Sequence, residues 1–291
     1  MTQAISKGTL YLVATPIGNL EDISFRAVSI LKQAGLIACE DTRQTAKLLN
    51  HYGIETPTIS YHEHNELRRA QELITRLKDG VPVALVSDAG MPGISDPGYR
   101  VVTMALEQGI PVVPIPGASA ALSALAASGL PTDAFEFRGF LPARSGQRRT
   151  ALEELRATVH TVIVYEAPHR IMETLEDIVE LLGPHRPVVI AREMTKMYEE
   201  FIRGGAGEVL EQVRGRDLKG EITLLIGKAG EQATIGEVEE QDLRTRLAAI
   251  MREQQLDEKA ALKALAKERG MGKSELYREL QRGKTSPSRK K

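Results

Sequence analysis

The chain has 291 residues, of which 42% are hydrophobic and 26% charged, so it is expected to form about two globular domains. No apolar stretch approaches the roughly 20 residues of a membrane span, and the first residues lack the layout of a signal peptide. Cys39 is the only cysteine, which excludes an intramolecular disulfide and zinc sites built on paired cysteines. We therefore expect a cytoplasmic protein that is not bound to a membrane.

The net charge of −1 conceals an uneven distribution along the chain. Residues 241–291 contain 14 Lys and Arg against 7 Asp and Glu, whereas the preceding 240 residues contain 24 against 32. A basic segment on an acidic body is typical of proteins that bind a polyanion. The alternative is a solvated helical face with a frayed basic end, and charge alone does not exclude it.

In chain order, the first part of the sequence alternates strand-length apolar runs with helical patterns. The predicted strands are GTLYLVATP, LIACE, TPTISYH, VPVALVSD and IPVVPIPG, and the helices between them are DISFRAVSILKQAG (opened by Asp22), TRQTAKLLNHYG, NELRRAQELITRLKDG and DPGYRVVTMALEQG. This alternation indicates a mostly parallel sheet with helices on both faces. We place the boundary of this first α/β domain, residues 1–116, near Pro116.

A second α/β domain is predicted over residues 117–230. It begins with the small-residue helix in PGASAALSALAASGLP and continues with the strands FEFRGFLP, TVIVYEAP, PVVIARE and EITLLIGK. The helices GQRRTALEELRAT and HRIMETLEDIVELLG lie between these strands. The polar segment AGEQATIGEVEEQD is interpreted as a linker.

Residues 241–291 are predicted to form a small basic helical module with a disordered end, KTSPSRKK. The turn RGMG is followed by Ser274 as a candidate N-cap and by an apolar face with Leu276 and Leu280. This pattern fits a helix-turn-helix. A helical hairpin that packs on the body or on a partner chain fits it equally well.

Three loops follow strands and are unusually rich in glycine and proline: ATPIGN, SDAGMPGISDPG and PIPGASA. Glycine permits a positive φ or a close approach of main chains, and proline holds a loop stiff. Since ligands of open α/β sheets bind at the carboxyl ends of the strands, the loops predict a cleft lined by main-chain groups. The alternative is that they are ordinary structural turns.

In their residues and their order, these motifs resemble those of the tetrapyrrole-methylase superfamily. Members of this superfamily bind S-adenosylmethionine between two α/β domains. SDAGMPGISDPG, TPIGNLEDISFRA, CEDTRQTAKLL, YEAPHRI and REMTKMYEE are most similar to a bacterial branch that methylates a cytidine ribose of 16S rRNA. Porphyrin-modifying members carry a Gly-x-Gly-Pro-Gly turn first and a Gly-Asp-Pro loop second. The turns ATPIGN and SDAGMP stand here instead, which weighs against a tetrapyrrole substrate.

The resemblance implies an S-adenosylmethionine-dependent 2′-O-methyltransferase acting on 16S rRNA in the small ribosomal subunit, with cytidine 1402 as the expected target. It also implies a homodimer and no metal. The cofactor-binding residues that it implies are Ile17, Asp88, Ala89, Gly90, Pro92, Gly117, Ala118, Ser119, Tyr165, Glu193 and Glu221.

Candidate catalytic residues follow two other predicted strands. They are Glu40, Arg43, Lys196 and Glu199, without assigned roles. Lys196 could lower the pKa of a hydroxyl group or hold a phosphate, or it could be an ordinary surface lysine. Asp41, beside Glu40, is either part of the site or a helix N-cap. His62 is a second candidate for a general base or an RNA contact, and a metal site at His62 and His64 lacks a third suitably spaced ligand.

A second basic stretch, RGFLPARSGQRR, predicts RNA phosphate contacts on a loop through Arg138, Arg144, Arg148 and Arg149. Two rival functions remain at this point. A tetrapyrrole-type small-molecule methylase would not need the basic tail, and a non-catalytic nucleic-acid-binding regulator would not need the three glycine-rich loops.

Overall fold

The computed structural model describes residues 5–229, 250–251 and 257–268. These residues belong to two compact units that divide at Lys228. The second unit contains a helix over Glu258–Glu268, on which Ala261, Leu262 and Leu265 are buried. The predicted turn RGMG, the second helix of the motif and the basic end lie outside the described residues.

The first half of the larger unit alternates strands and helices as predicted. The elements are β1 (Leu10–Val13), α1 (Phe25–Gln33), β2 (Leu36–Cys39), α2 (Thr42–His51), β3 (Thr58–Ser60), α3 (Glu66–Lys78), β4 (Val83–Val86), α4 (Tyr99–Glu107) and β5 (Val112–Ile115). All five strands are parallel, in the order β3-β2-β4-β1-β5. Helices α1 and α2 cover one face and α3 and α4 the other, so the predicted doubly covered sheet is confirmed.

The strand order places a topological switch between the carboxyl ends of β1 and β4. The chain leaves β1 toward β2 and β3, whereas it leaves β4 in the opposite direction, toward β5. Loops that diverge in this way open a crevice in which α/β proteins bind ligands. The residues of ATPIGN and SDAGMPGISDPG therefore lie beside each other at this crevice.

The second half of the unit forms a mixed sheet. Its elements are α5 (Ala120–Ser128), β6 (Phe135–Phe140), α6 (Ser145–Glu153), β7 (Thr161–Glu166), α7 (Ile171–Leu182), β8 (Pro187–Arg192), β9 (Glu200–Gly205), α8 (Ala206–Val213) and β10 (Ile222–Ile226). The strand order is β6-β7-β10-β8-β9, and only the β6–β7 pair is parallel. Helices α6, α7 and α8 cover one face, and α5 covers the other.

The change from one sheet to the other falls between Ile115 and Ala120, close to the expected boundary at Pro116. Ile17, from the loop after β1, packs with α5 and with the second sheet. Both domains of the predicted α/β fold are thus present, and one apolar cluster joins them.

Three local expectations differ from the structure. The first long helix is not opened by Asp22: a short 3-10 turn covers Leu20–Asp22, and α1 starts after Ser24, whose Oγ accepts from the Ala27 N–H at 3.1 Å. Strand β9 and helix α8 were not predicted from the sequence. The reason is that β9 is a polar strand, with Arg203 exposed and two glycines at its end, so it lacks an apolar run.

The one thiol of the chain lies inside the first sheet. Cys39 is fully buried at the end of β2, with its Sγ 3.7 Å from the Ile59 carbonyl oxygen, and burial raises the pKa of its thiol. In the described part of the chain, no helix combines the length and the apolar character needed to cross a bilayer.

An ion-pair network joins α6 to α7. The Arg148 guanidinium is 2% exposed and donates to Asp177 at 2.7 Å and to Glu173 at 3.2 Å. Arg149 donates to Asp177 at 2.7 Å and to Glu180 at 2.5 Å. Both arginines therefore hold the helices together.

Replacement of Arg148 by alanine should lower the free energy of unfolding by about 2–3 kcal/mol, because Asp177 would lose its buried partner and keep only Arg149, which is 31% exposed. Urea unfolding followed by circular dichroism measures this change. Arg144→Ala is the matched control, since Arg144 is exposed and has no ion pair among the described residues. It should change the free energy by less than about 0.5 kcal/mol. Equal effects of the two substitutions would contradict a structural role of Arg148.

Candidate active site

A cavity of about 680 Å³ lies between the two sheets, at the topological switch of the first one. The loops after β1, β4, β5 and β7 line it, together with β6 and the start of β10. Its lining residues are Ile17, Ala89, Gly90, Met91, Ile94, Ser95, Asp96, Pro116 to Leu122, Phe135, Phe137, Phe140, Tyr165 to Pro168 and Gly220 to Thr223.

Main-chain hydrogen bonds hold the first two loops together at the bottom of the crevice. The Thr15 N–H donates to the Gly90 carbonyl at 2.9 Å, and the Gly90 N–H donates to the Thr15 carbonyl at 3.1 Å. The Thr15 hydroxyl also donates to the Ser87 carbonyl at 3.1 Å. Because Gly90 has a φ of +78°, a side chain at this position would be strained.

The third loop passes so close to the first that only glycine fits. A Cβ on Gly117 would lie 2.8 Å from the Ala14 Cβ. The N–H groups of Gly117 and Ala118 donate to no atom of the described residues, which leaves them available to a ligand. Small side chains and free main-chain donors suit the adenine and ribose of a nucleoside, so the residues present fit S-adenosylmethionine.

An aromatic cluster forms the wall that the second sheet contributes. The Tyr165 ring contacts Phe137 and Phe140 edge-on, with centroid distances of 5.0 and 5.5 Å. Phe140 is exposed at the rim of the cavity. Burial, followed by the charge of Asp96, raises the pKa of the Tyr165 hydroxyl, so this group stays neutral and able to donate.

Three carboxyl groups line the cavity, and two of them are paired with cations. Glu166 accepts from Arg170 at 2.6 Å, and Glu221 accepts from the Lys196 Nζ at 3.0 Å. Asp96 is half-buried and has no ion pair among the described residues. Burial and the neighbouring charge of Glu40 raise its pKa to about 6; Ser87 acts against the rise and Asp88 adds to it.

An acidic group surrounds the end of β2. Asp41 is the N-cap of α2: its Oδ1 accepts from the Arg43 N–H at 2.8 Å. The Arg43 side chain, which is 88% exposed, pairs with the same carboxylate and lowers its pKa to about 2. Burial and the charge of Asp88 raise the pKa of Glu40. The carboxylates create a negative field that favours a cationic ligand such as a sulfonium.

Lys196 lies against the loop after β1. Its Nζ donates to Glu193 at 2.8 Å and to Glu221 at 3.0 Å. A Cβ on Gly18 would lie 2.5 Å from the Lys196 Cγ, and the Asn19 N–H donates to the Thr195 hydroxyl at 3.1 Å. Partial burial lowers the pKa of Lys196, but the two carboxylates raise it by more. Lys196 therefore stays an ammonium ion at neutral pH.

Of the predicted cofactor-binding residues, eight line the cavity and three do not. Asp88 is exposed and its Oδ1 accepts from the Asp41 N–H at 3.1 Å, Pro92 is buried inside its loop, and Glu193 holds Lys196 and the Glu221 N–H. A part of these three in cofactor binding stays a prediction. The lining residues are Ile17, Ala89, Gly90, Gly117, Ala118, Ser119, Tyr165 and Glu221.

The predicted catalytic residues fall into two separate groups. Glu40 and Arg43 follow β2, whereas Lys196 and Glu199 lie in the β8–β9 connection, and no hydrogen bond or ion pair links the groups among the described residues. The Glu199 Oε2 accepts from the Thr195 N–H at 2.6 Å, which stabilises this connection. A direct role in the chemistry stays a prediction for all four.

The predicted RNA-binding arginines do not share a loop. Arg138 lies on β6 and pairs with Glu136 and Glu154, while Arg148 and Arg149 lie on α6 in the ion-pair network described above. The expected placement on a loop is therefore wrong for these three, and local carboxylates pair with them; their contact with RNA stays a prediction. Arg144, at the start of α6, is the exposed member, and it has no ion pair among the residues that the structure describes.

The sequence reasoning missed Asp96, Phe137, Phe140 and Glu166. Asp96 lies in the glycine-rich loop SDAGMPGISDPG, and Phe137 and Phe140 recur at a short interval in FEFRGF. The sequence therefore held a signal for the carboxylate and for the two aromatic residues. His62, the other candidate for a general base, does not line the cavity, and its Nε2 lies 2.9 Å from the Asn65 Nδ2. No cluster of His, Cys, Asp and Glu in the described ranges is arranged to hold a metal ion.

Comparison with known proteins gives the same picture as the geometry. Residues 9–210 match the family described as Tetrapyrrole (Corrin/Porphyrin) Methylases. The ribosomal RNA small subunit methyltransferase I of Halalkalibacterium halodurans is 51% identical over 94% of this chain and 95% of the relative. The protein of the same name from Escherichia coli O157:H7 is 46% identical, with 94% of both chains covered.

A solved structure shares the fold at lower identity. It is the uroporphyrin-III C-methyltransferase of Thermus thermophilus complexed with S-adenosylhomocysteine, with a TM-score of 0.53, 20% identity, and coverage of 76% of this chain and 98% of that one. The chain belongs to the tetrapyrrole methylase family and, within it, to the group of the ribosomal RNA small subunit methyltransferase I proteins.

Proposed function

We propose that this protein transfers a methyl group from S-adenosylmethionine to the ribose 2′-hydroxyl of a cytidine in 16S rRNA, with cytidine 1402 as the expected target. The observation that carries the proposal is the cavity at the switch point, lined by glycine-rich loops with free main-chain donors. Relatives at 46–51% identity over nearly the whole chain bear the name of a small-subunit rRNA methyltransferase, which favours RNA over a tetrapyrrole as the substrate.

The residues of this chain would act mainly by positioning the reactants. Bound S-adenosylmethionine supplies an already activated methyl group, so in-line placement of the acceptor oxygen makes the largest contribution. Gly117 and Ala118 would hold the nucleoside, and the carboxylates around β2 and β4 would stabilise the positive charge. Lys196, held as an ammonium ion by Glu193 and Glu221, would contact RNA phosphate or the attacking oxygen rather than remove a proton.

The substrate sets the expected surroundings of the enzyme. Because 16S rRNA is the acceptor, we propose that the protein acts in the cytoplasm.

Arg144 and the basic segment 241–291 would contact the RNA phosphates. A homodimer stays a prediction of the family resemblance.

Gly117→Ala should weaken binding of S-adenosylmethionine at least about tenfold, since the added methyl must displace Ala14 or the loop that carries the free N–H groups. Calorimetric titration measures the affinity. Gly146→Ala is the matched control: a Cβ there meets no atom within 4 Å, so the affinity should not change. Tight binding by the Gly117 variant would place the cofactor elsewhere.

Binding to small ribosomal subunits should weaken steeply as salt increases, because cationic side chains displace counterions from RNA. Arg144→Ala should lower the slope of log affinity against log salt by about 1 unit. Filter binding over a series of potassium concentrations tests both expectations, with Arg76→Ala, on α3, as the surface control. A salt-independent affinity would favour the small-molecule methylase instead.

A further inference from the structure

The long loop after β4 is attached to the rest of the protein at both of its ends. It runs from Ser87 to Gly98, where α4 begins, and its residues 89–91 and 94–96 line the cavity. The hydrogen bonds between Thr15 and Gly90 fix the first part. Because ordering a long loop costs conformational entropy, the part beyond Gly90 needs an attachment of its own.

The far end of the loop folds back on itself. A Cβ on Gly98 would lie 3.1 Å from the main-chain nitrogen and Cα of Gly93, and 3.2 Å from the Leu85 Cδ2. Gly93 has a φ of +83° and Gly98 a φ of +153°, which favour glycine at both positions. Since these two residues are in contact, the position of Gly98 sets that of the segment between them. This segment carries Ile94 and Ser95 of the cavity lining.

A carboxylate of the neighbouring helix α3 holds Gly98 in place. The Gly98 N–H donates to the Glu66 Oε1 at 3.3 Å. Gly98 is the N-cap of α4 and has no side chain that could accept from the first N–H groups of this helix. A negative charge beside a helix N-terminus is also favoured by the helix dipole. Glu66 therefore supplies to α4 and to the loop a partner that their own residues lack.

Two further donors fix the Glu66 carboxylate. The hydroxyl of Tyr61, which is buried after β3, donates to the Oε1 at 3.1 Å, and the Arg100 Nε donates to the Oε2 at 3.1 Å. Burial, followed by the charge of Glu66, raises the pKa of the Tyr61 hydroxyl, so this group stays a donor. The Glu66 side chain is 14% exposed. It therefore connects the end of β3 and the start of α4 to the loop at one buried point.

Glu66 does not line the cavity, and no step of the proposed methyl transfer uses it. We infer that Glu66 is a positioning residue for cofactor binding: its carboxylate fixes Gly98 and so holds the Gly93–Gly98 segment in the shape that binds S-adenosylmethionine. This inference rests on the proposed function, in that the cavity is the cofactor site. The length of the side chain matters here more than its charge, because one oxygen accepts from both Gly98 and Tyr61.

The test is calorimetric titration of S-adenosylmethionine into the full chain and its variants, with circular dichroism to measure how much of each variant is folded. Glu66→Ala and Glu66→Asp should weaken binding at least about fivefold, since losing a hydrogen bond to a charged group corresponds to roughly tenfold or more. Glu66→Gln should stay within about fivefold of wild type, because its amide oxygen has the same reach. The Asp and Gln variants keep the comparison valid if the Ala variant does not fold.

Glu72→Ala is the matched control. Glu72 lies on the same helix and also pairs with two arginines, but both partners, Arg69 and Arg76, belong to α3 itself. The cofactor affinity of this variant should equal that of wild type.

Two readouts separate positioning from a general loss of stability. A variant that is about nine-tenths folded loses only about a tenth of its apparent affinity, because binding is reduced by the unfolded fraction alone. Hydrogen exchange gives the second readout: in Glu66→Ala the amides of residues 93–98 should exchange at least about fivefold faster, while those of β4 keep their rates.

Three outcomes would overturn the role of Glu66. The first is an affinity of Glu66→Ala within fivefold of wild type, and the second is unchanged exchange of residues 93–98. The third is retained affinity in Glu66→Asp or lost affinity in Glu66→Gln, since either would assign the effect to charge instead of reach. If wild type binds the cofactor and transfers no methyl group to small ribosomal subunits, the proposed substrate fails, whereas the role of Glu66 is still decided by the affinities.

Discussion

The site depends on a pair of main-chain hydrogen bonds between Thr15 and Gly90. They join the loops after two adjacent parallel strands at the point where the chain turns away in opposite directions. With this pair in place, Ile17 is directed toward the second sheet and the loop after β4 extends along the cavity. The close approach of Gly117 to Ala14 adds the third loop to the same edge. A cavity lined by main-chain groups is the result.

The residues with strained backbone conformations also lie near this cavity. Among the described residues, the non-glycine positions with positive φ are Ser95, Glu193 and Thr195. Ser95 bridges to the second domain, and the other two position Lys196 beside the loop after β1. Each such conformation costs on the order of 1–3 kcal/mol and persists only where the surroundings enforce it. The backbone strain of the described residues therefore lies in loops beside one cavity.

Much of the fold was accessible from the sequence, because parallel strands are buried on both faces and appear as short apolar runs. β2 and β4 are fully buried and were predicted, as was the glycine-rich edge of the site. β9 was missed, since it is an edge strand with polar and glycine residues. The pairing of side chains was not accessible at all: the carboxylates of α7 that neutralise Arg148 and Arg149 lie 25 to 31 residues away in the chain. That Asp96 has no ion pair among the described residues likewise depends on which side chains tertiary packing brings near it.

The burial of Cys39 has a practical consequence for studying this enzyme. It is the only thiol in the chain, and its position inside the first sheet makes it both inaccessible and reluctant to ionise. Thiol reagents react through the thiolate at accessible positions. A single cysteine introduced on the surface, for example in place of Arg144, could therefore carry a fluorophore or a crosslinker without removal of the native residue. The native protein thus already serves as the background for site-directed labelling of the proposed RNA contacts.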